Sequence, residues 1–373
     1  MNKAIGILFG NGGSDSLQGL TSHRPIAAIP FGGRYRLLDF ALSSMVNSGI
    51  RTIGLITPHH YKAMLDHLGA GKAWFLERKA GGLFILPGTI HGLMGQNVQF
   101  RLKDMALNLE YLQKDLVENV VVSSCNQVFN INYRDALAFH ESNQADITLI
   151  YKELDCPPQK EKRIRLVMGD GPQVTDLQDS FRIVSGGQEQ PYFVNMLIIR
   201  RQLLLDIVDG YQSMENIDLL DAIAENIQTL KVFGFAFEGY VGMINSVQDY
   251  FERNMDLLDT AVREKLLLGF DRIHTKFVDN PPTQHGMQAR VSNSLIASGC
   301  LIEGEVENSI ISRGVIIERG AQIKNCLIMQ KCTIGAHTML EHVILDKFVE
   351  IHNGNVLKGR RNSPMVVLKR AMV

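Results

Sequence analysis

No two cysteines in this chain stand in a C-x-x-C spacing; the five present (Cys125, Cys156, Cys300, Cys326 and Cys332) are scattered and odd in number. That pattern argues against a disulfide framework or a zinc site and predicts buried thiols of a reducing compartment. Long apolar runs are missing as well. Nothing approaches the roughly 18 consecutive apolar residues of a membrane span, and the run Ala4–Phe9 breaks at a polar glycine loop instead of a cleavage site. A cytoplasmic protein with no membrane role is expected. Charge of one sign is lacking too: 38 Lys and Arg stand against 39 Asp and Glu, a net charge of −1. Neither nucleic acid nor an anionic bilayer is therefore expected as the main partner.

The 373 residues, 45% hydrophobic and 21% charged, suffice for two ordinary soluble domains. Over residues 1–270 short apolar runs alternate with longer amphipathic stretches. Strands are predicted at Ala4–Phe9, Thr52–Ile56, Val120–Ser123, Ile147–Tyr151 and Val232–Phe237, and helices at Leu38–Ser48, Tyr61–Leu68 and Asp104–Lys114. Such alternation predicts an α/β, Rossmann-like domain whose mixed, mostly parallel sheet carries helices on both faces. Residues 271–290, with Asp279-Asn280-Pro281-Pro282-Thr283, lose any clear period and read as a connection.

Residues 291–373 carry an internal repeat. Val291-Ser-Asn-Ser-Leu-Ile, Val306-Glu-Asn-Ser-Ile-Ile, Ile323-Lys-Asn-Cys-Leu-Ile and Leu340-Glu-His-Val-Ile-Leu recur at spacings of 15, 17 and 17 residues. Aliphatic residues fall about six apart within each unit, and glycines punctuate the corners. A hexapeptide period places one short strand on each face of a triangular coil, with the aliphatic side chains stacked inside. A left-handed parallel β-helix is predicted.

The first strand opens into Gly10-Asn11-Gly12-Gly13-Ser14-Asp15-Ser16. Glycines between a strand and a helix let backbone N–H groups approach a phosphate, although a simple turn has the same composition. The next segments are more specific. Leu20-Thr21-Ser22-His23-Arg24, then the run from Pro30-Phe31-Gly32-Gly33-Arg34-Tyr35-Arg36 to Asn47-Ser48-Gly49-Ile50, closely resemble the opening of bacterial ADP-glucose pyrophosphorylases. Further matches lie at Asn108-Leu-Glu-Tyr-Leu, Asn132-Tyr133 and Asn254-Met-Asp-Leu-Leu, so the resemblance spans essentially the whole chain. It implies a nucleotidyltransferase domain followed by a left-handed β-helix, and a Mg²⁺-dependent transfer of the adenylyl group of ATP to glucose 1-phosphate.

Set against that family, the chemistry is depleted. Joining two polyanions needs Mg²⁺ on carboxylates and fixed cations on the triphosphate. The resemblance puts the family's triphosphate arginine at Ser16 and its phosphate-binding lysine at Ile26. It puts the metal carboxylate of S-G-D-H at Asn126 and the second one, of W-x-D-V-G-T, at Tyr240. Bulky Phe100-Arg101-Leu102-Lys103-Asp104 replaces a small-residue segment beside the nucleotide, and the sugar-phosphate lysine has no counterpart, since no lysine lies between Leu166 and Leu230. With both carboxylates gone, no resident metal or cofactor is expected. Gly12 and Gly13 remain as candidates for residual nucleotide contact.

Retained features point elsewhere. By resemblance, Arg24 and Arg36, joined by His23, lie toward an effector site between the domains. Arg360 and Arg361 add charge near the C-terminus, and a phosphorylated metabolite is the expected ligand. The pattern resembles the family's non-catalytic, GlgD-type subunits, and this implies assembly with a catalytic GlgC-type subunit in a hetero-oligomer, a heterotetramer, that modulates ADP-glucose synthesis. Two alternatives stay open: a transferase with ligands rearranged onto Asp15, Asp104 or Asp249, and a hexapeptide-repeat acyltransferase using His337, His342 or His352 as base.

Overall fold

The computed structural model describes residues 4–10, 17, 19–57, 61–88, 99–114, 116–154, 163–179, 189–211, 214 and 216–373. Gly12, Gly13, Asp15 and Ser16 lie outside the described residues, as does Cys156. Ala4–Phe9 forms a fully buried strand with Thr52–Thr57 parallel on one side and Asn119–Ser124 parallel on the other. All three are buried along their whole length, as a sheet covered on both faces requires. Gly82–Pro87 extends the parallel half. Gln190–Arg200 runs antiparallel to Asn119–Ser124 and to Ile147–Leu154, and Val232–Ala236 pairs parallel with the latter. The sheet is mixed, and nine described strands belong to it.

The helix expected over Asp104–Lys114 is two short ones, Leu102–Ala106 and Leu109–Lys114. Asn108 sits between them and its side-chain amide donates to the carbonyls of Asp104 and Pro87, competing with helical pairing there. Phe100 and Leu102, expected to crowd a nucleotide, are instead buried in the apolar core. Phe100 packs edge-on against Phe9, with ring centroids 5.3 Å apart.

Three five-stranded parallel sheets then wind as the left-handed β-helix, one strand per face per coil. Its first coil begins at Gln284–His285, a strand inside the segment read as connection, because that pair is hydrogen-bonded to Leu301–Ile302 of the next coil. Inward positions form the core: Ile302, Ile317, Ile334 and Ile351 on one face, Val306, Ile323 and Leu340 on the second, Ile311, Ile328 and Leu345 on the third. The second face turns charges outward in alternation, Glu307, Lys324, Glu341 and Lys358, with Lys324–Glu307 at 3.2 Å. Like charges directly opposite would repel, so this order supports the register.

The third face is apolar on its outer side as well. Leu295, Ile310, Leu327, Ile344 and Val366 pack with Leu17, Leu20, Ile26, Ile29, Phe31 and Phe251 of the N-terminal domain in one cluster. Each such buried side chain contributes about 1.5–3 kcal/mol, so the seam welds the domains. Gly33 (φ +77°) passes so close to the β-helix that a Cβ would stand 3.3 Å from the Ile311 carbonyl oxygen. Within this apolar seam Arg24 donates to Asp346 at 2.5 Å and to the Leu20 carbonyl at 2.8 Å; both charged residues are buried.

Asp346→Ala, which strands the Arg24 guanidinium without its carboxylate, is expected to destabilise the chain by about 3–5 kcal/mol. The paired change Arg24→Met with Asp346→Leu should recover most of that loss. Denaturant midpoints of the three proteins compare them directly; equal losses for the single and double variants would contradict this account.

Candidate functional site

The position of the first metal carboxylate lies just past the Asn119–Ser124 strand. Asn126 is buried, and both the oxygen and the nitrogen of its amide are engaged. Its Oδ1 accepts from Ser124 Oγ at 2.6 Å and from Gln99 Nε2 at 3.1 Å, while its Nδ2 donates to Asn245 Oδ1 at 3.1 Å. Two donors occupy both acceptor positions of the amide oxygen. A hard dication needs carboxylate or phosphate oxygen, and this group offers neither charge nor a free lone pair. The residues present do not fit Mg²⁺.

The second position is corrected by the strand register. Val241–Met243 pairs antiparallel with Gln127–Phe129, setting Met243 opposite Gln127 and Val241 opposite Phe129, and Ile244 N donates to the Asn126 carbonyl. Tyr240 is therefore roughly 13 Å along the strand from the level of Asn126, too far to share an ion with it. The residues beside Asn126 are Met243 and Asn245. Tyr240 donates instead to Asp256 Oδ2 at 2.6 Å, and Arg253 reaches the same oxygen at 3.0 Å. Burial, then the hydrogen bond to Asp256, pushes the Tyr240 phenol far up, so it stays neutral. No carboxylate takes the place of the missing pair at either residue.

Ile26, the expected site of a lost lysine, is a core residue of the seam. A short helical turn, Ile26–Ala28, buries all three of its residues. Of the alternative ligands, Asp15 lies outside the described residues. Asp249 stands in the first turn of the helix Val247–Met255, whose cap is Ser246, and accepts from Asn245 N at 3.0 Å, while Asp104 is buried in the short helix Leu102–Ala106. Among the described residues no group of three His, Cys, Asp or Glu could hold a metal ion. For an acyltransferase, His337 and His342 occupy left-handed corners (φ 58° and 53°) and His352 is exposed on the last coil. Spread over successive corners, they form no common site.

One charged constellation is assembled. Corner residues of successive coils stack, as the bonds Lys331 N to Arg313 O, Phe348 N to Gln330 O and Arg370 N to Lys347 O show. Lys347 thereby lies between coils at the seam, near Arg36, Arg24 and Lys369. Burial, followed by repulsion from Arg36 and Arg24, lowers its ammonium to about 7. Arg36 is lowered to about 10, again by burial first. Its guanidinium holds the Ala63 carbonyl while its backbone N–H donates to Asp39, which also meets His67 Nε2 at 2.6 Å. Burial lowers the His67 imidazole despite that carboxylate.

Of the C-terminal cations, Lys369 lies near Lys347, which is also near Arg24 and Arg36, while Arg360 and Arg361 lie apart from it along the strands. Asp346 and Lys369 follow the paired strands Val343–Leu345 and Met365–Val367, whereas Arg360 and Arg361 precede the second of them. The separation is roughly 10 Å or more, and the Arg361 carbonyl is held by Gln248 of the helix Val247–Met255. His23 is exposed beside Arg24. Lys347 was not singled out by the sequence reading, although the coil spacing carries the signal: Arg313, Gln330 and Lys347 recur at the repeat length.

A nucleotidyltransferase domain with a neutral amide network around Asn126, welded to a hexapeptide β-helix, defines a sugar-nucleotidyltransferase framework. Residues 5–161 match the nucleotidyl transferase family and residues 274–360 the GlmU-like C-terminal hexapeptide family. The chain is 32% identical over 369 residues to glycogen biosynthesis protein GlgD of Bacillus subtilis (strain 168), covering 99% of this chain and 96% of that one. It is 34% identical to GlgD of Geobacillus stearothermophilus over 86% of this chain and 83% of that one. Against glucose-1-phosphate adenylyltransferase of Bacillus cereus (strain Q1) the identity is 27%, over 98% and 97%. The chain belongs to the bacterial ADP-glucose pyrophosphorylase family, on its GlgD branch. No helix among the described residues is long and apolar enough to cross a membrane.

Restoring both carboxylates tests the reading of the metal position. The wild-type chain is expected to give no Mn²⁺ signal by titration followed with electron paramagnetic resonance. Asn126→Asp combined with Met243→Asp should bind the ion, and Mg²⁺ should then raise its Tm. Asn126→Asp combined with Tyr240→Asp should not, because those positions are too far apart.

Proposed function

We propose that this chain is a non-catalytic, or at most very weakly active, regulatory subunit of glucose-1-phosphate adenylyltransferase, modulating ADP-glucose synthesis for glycogen. The observation that carries this reading is the amide of Asn126, whose oxygen is saturated by Ser124 and Gln99 where the reaction needs an anionic metal ligand. Each missing preorganised charge removes about 10²–10³ in rate. Losses in separate segments leave little turnover even when they are far from additive. The names of the full-length relatives supply the pathway and the family's reaction.

In this reading the chain acts by association. It packs against a catalytic GlgC-type subunit in a hetero-oligomer, a heterotetramer, and favours one of that subunit's conformations. The effector arm uses the seam cations. Arg24 is neutralised by Asp346, so Arg36, Lys347 and Lys369 carry the excess positive charge, and they suit a phosphorylated metabolite. Arg360 and Arg361 are not part of this site.

The decisive assay measures ATP–glucose 1-phosphate exchange by this chain alone, by a catalytic homologue alone, and by the two co-expressed. We expect no activity at ordinary rates from this chain, together with co-purification and altered kinetics of the homologue. Ordinary turnover by the chain alone would sink the non-catalytic part; absence of co-purification and of any kinetic change would sink the regulatory part.

Lys347 supplies a pH test. Its amine is lowered to about 7 from 10.5, so between those values the unfolded chain binds the extra proton. Its contribution therefore makes stability rise with pH across that window, whereas below about 7 the full penalty of burying the charge is present. An anion at the seam acts in the opposite sense. Sulfate, whose charge is constant here, should raise Tm more at about pH 6 than at about pH 8.5, and Lys347→Met should remove the difference.

A further inference from the structure

Successive coils of the β-helix turn the same corner with different lengths of chain. Between the first and second faces, the first coil uses residues 286–289 and the third uses 318–321, four residues each. The second coil turns there in two, Glu303 and Gly304, between Leu301–Ile302 and Glu305–Glu307. The ladder does not slip: Arg290 N donates to Gly304 O at 3.2 Å and Glu305 N to Ala321 O at 2.8 Å. The short corner is therefore recessed, and the corners on either side of it stand out as two lips roughly 10 Å apart. A Cβ on Gly304 would stand 2.4 Å from the Ala321 carbonyl oxygen, so only glycine lets the corner sit that deep.

The slot between the lips is a cavity of about 480 Å³, within the size range of small-ligand sites. Met287, Gln288, Arg290, Glu303, Glu305 and Gln322 supply its side chains. Its shape is held from both lips. Arg319 Nε donates to Gln288 Oε1 at 2.8 Å, a strut from the third coil to the first. Gly286 passes so close to Glu303 that a Cβ would stand 3.2 Å from Glu303 Cγ, which confines the stem of that side chain. The charges balance: Glu303 and Glu305 are offset by Arg290 and Arg319, with Arg290 3.7 Å from Glu305. None of these residues belongs to the apolar seam or to the network around Asn126.

The lining selects the class of ligand. With its charges balanced, the slot gives neither a phosphate nor a cation the field that would hold it, and no group of three His, Cys, Asp or Glu among the described residues could hold a metal ion. A largely apolar ligand would cover the polar lining without giving it partners. An uncharged, hydroxyl-rich molecule satisfies it. Carboxylates accept from hydroxyls, the amides of Gln288 and Gln322 both accept and donate, and the Arg290 guanidinium donates. Met287, fully exposed on one lip, is a flexible apolar cover for the C–H face of a sugar ring. We propose that this slot binds an uncharged saccharide. An α-glucan is the saccharide that a role in glycogen synthesis brings within reach; that choice alone rests on the function proposed above.

Maltotriose and cellotriose, an α-linked and a β-linked probe, test this on the full chain by saturation-transfer NMR at up to ~20 mM. Expected is maltotriose binding with a Kd on the order of 1 mM. Glu303→Ala should weaken it at least ~10-fold by removing a charged hydrogen-bond acceptor, with an unchanged Tm showing that the variant folds. Binding of neither probe, or binding indifferent to Glu303→Ala, overturns the proposal. Stronger displacement of maltotriose by glucose 1-phosphate than by glucose overturns the assignment to an uncharged ligand. Binding of cellotriose alone would leave the saccharide slot standing and remove only its link to glycogen. Co-purification with a catalytic homologue is read separately, so failure here leaves the regulatory reading intact.

Discussion

Everything else in the molecule is organised by a seam in which the outer side of one β-helix face is as apolar as its inner side. A lone solenoid would leave Ile310, Leu327 and Ile344 in water; here they share one cluster with Ile26, Ile29 and Phe31. Inside that cluster the Arg24–Asp346 pair is a charged tie between domains, and its desolvation is offset only while both partners remain. The weld fixes the relative position of the domains. It also brings the corner residues of the β-helix beside the cations of the segment from Arg24 to Arg36, so the charged seam follows from the apolar one.

In the reading proposed above, the expected metal position is rebuilt, not emptied. Had a carboxylate simply been neutralised, a buried polar group would have been left without partners at a cost of about 1–3 kcal/mol. Asn126 avoids this by joining Ser124, Gln99 and Asn245 in one neutral network. Ile26 was absorbed into the seam, and Tyr240 into a surface network with Asp256 and Arg253. Charge persists where the chemistry of adenylyl transfer does not need it, around Lys347. A neutral network at Asn126 alongside charge at the seam is what the proposed regulatory reading requires.

Much of the architecture was legible because it rests on local periodicity. The strand Ala4–Phe9 has the bounds that its apolar run predicts, and the coil spacings predict the β-helix that the parallel pairings show. Boundaries were less legible where a side chain competes with the backbone, as Asn108 does in breaking one helix into two. The start of the β-helix at Gln284 was hidden because a first coil lacks the apolar stack above it and reads as polar connection. The site was legible only in outline. Neighbouring motif residues singled out Asn126, but the second position is set by strand pairing, which puts Met243, three residues past Tyr240, opposite Gln127.

By itself the sequence determined the two-domain plan, the hexapeptide coil and the family, because each depends on residue type at short range. Only the tertiary structure decided which charges meet. Arg360 and Arg361 looked like partners of Arg24 but lie at the far end of a strand pair, while Lys347 and Asp346, more than three hundred residues from Arg24 in sequence, close the seam. The reason is geometric: a β-helix stacks residues one coil apart at about 4.8 Å whatever their separation along the chain. Charge placement is therefore set by the corner and face a residue occupies, and by the domain that face is packed against.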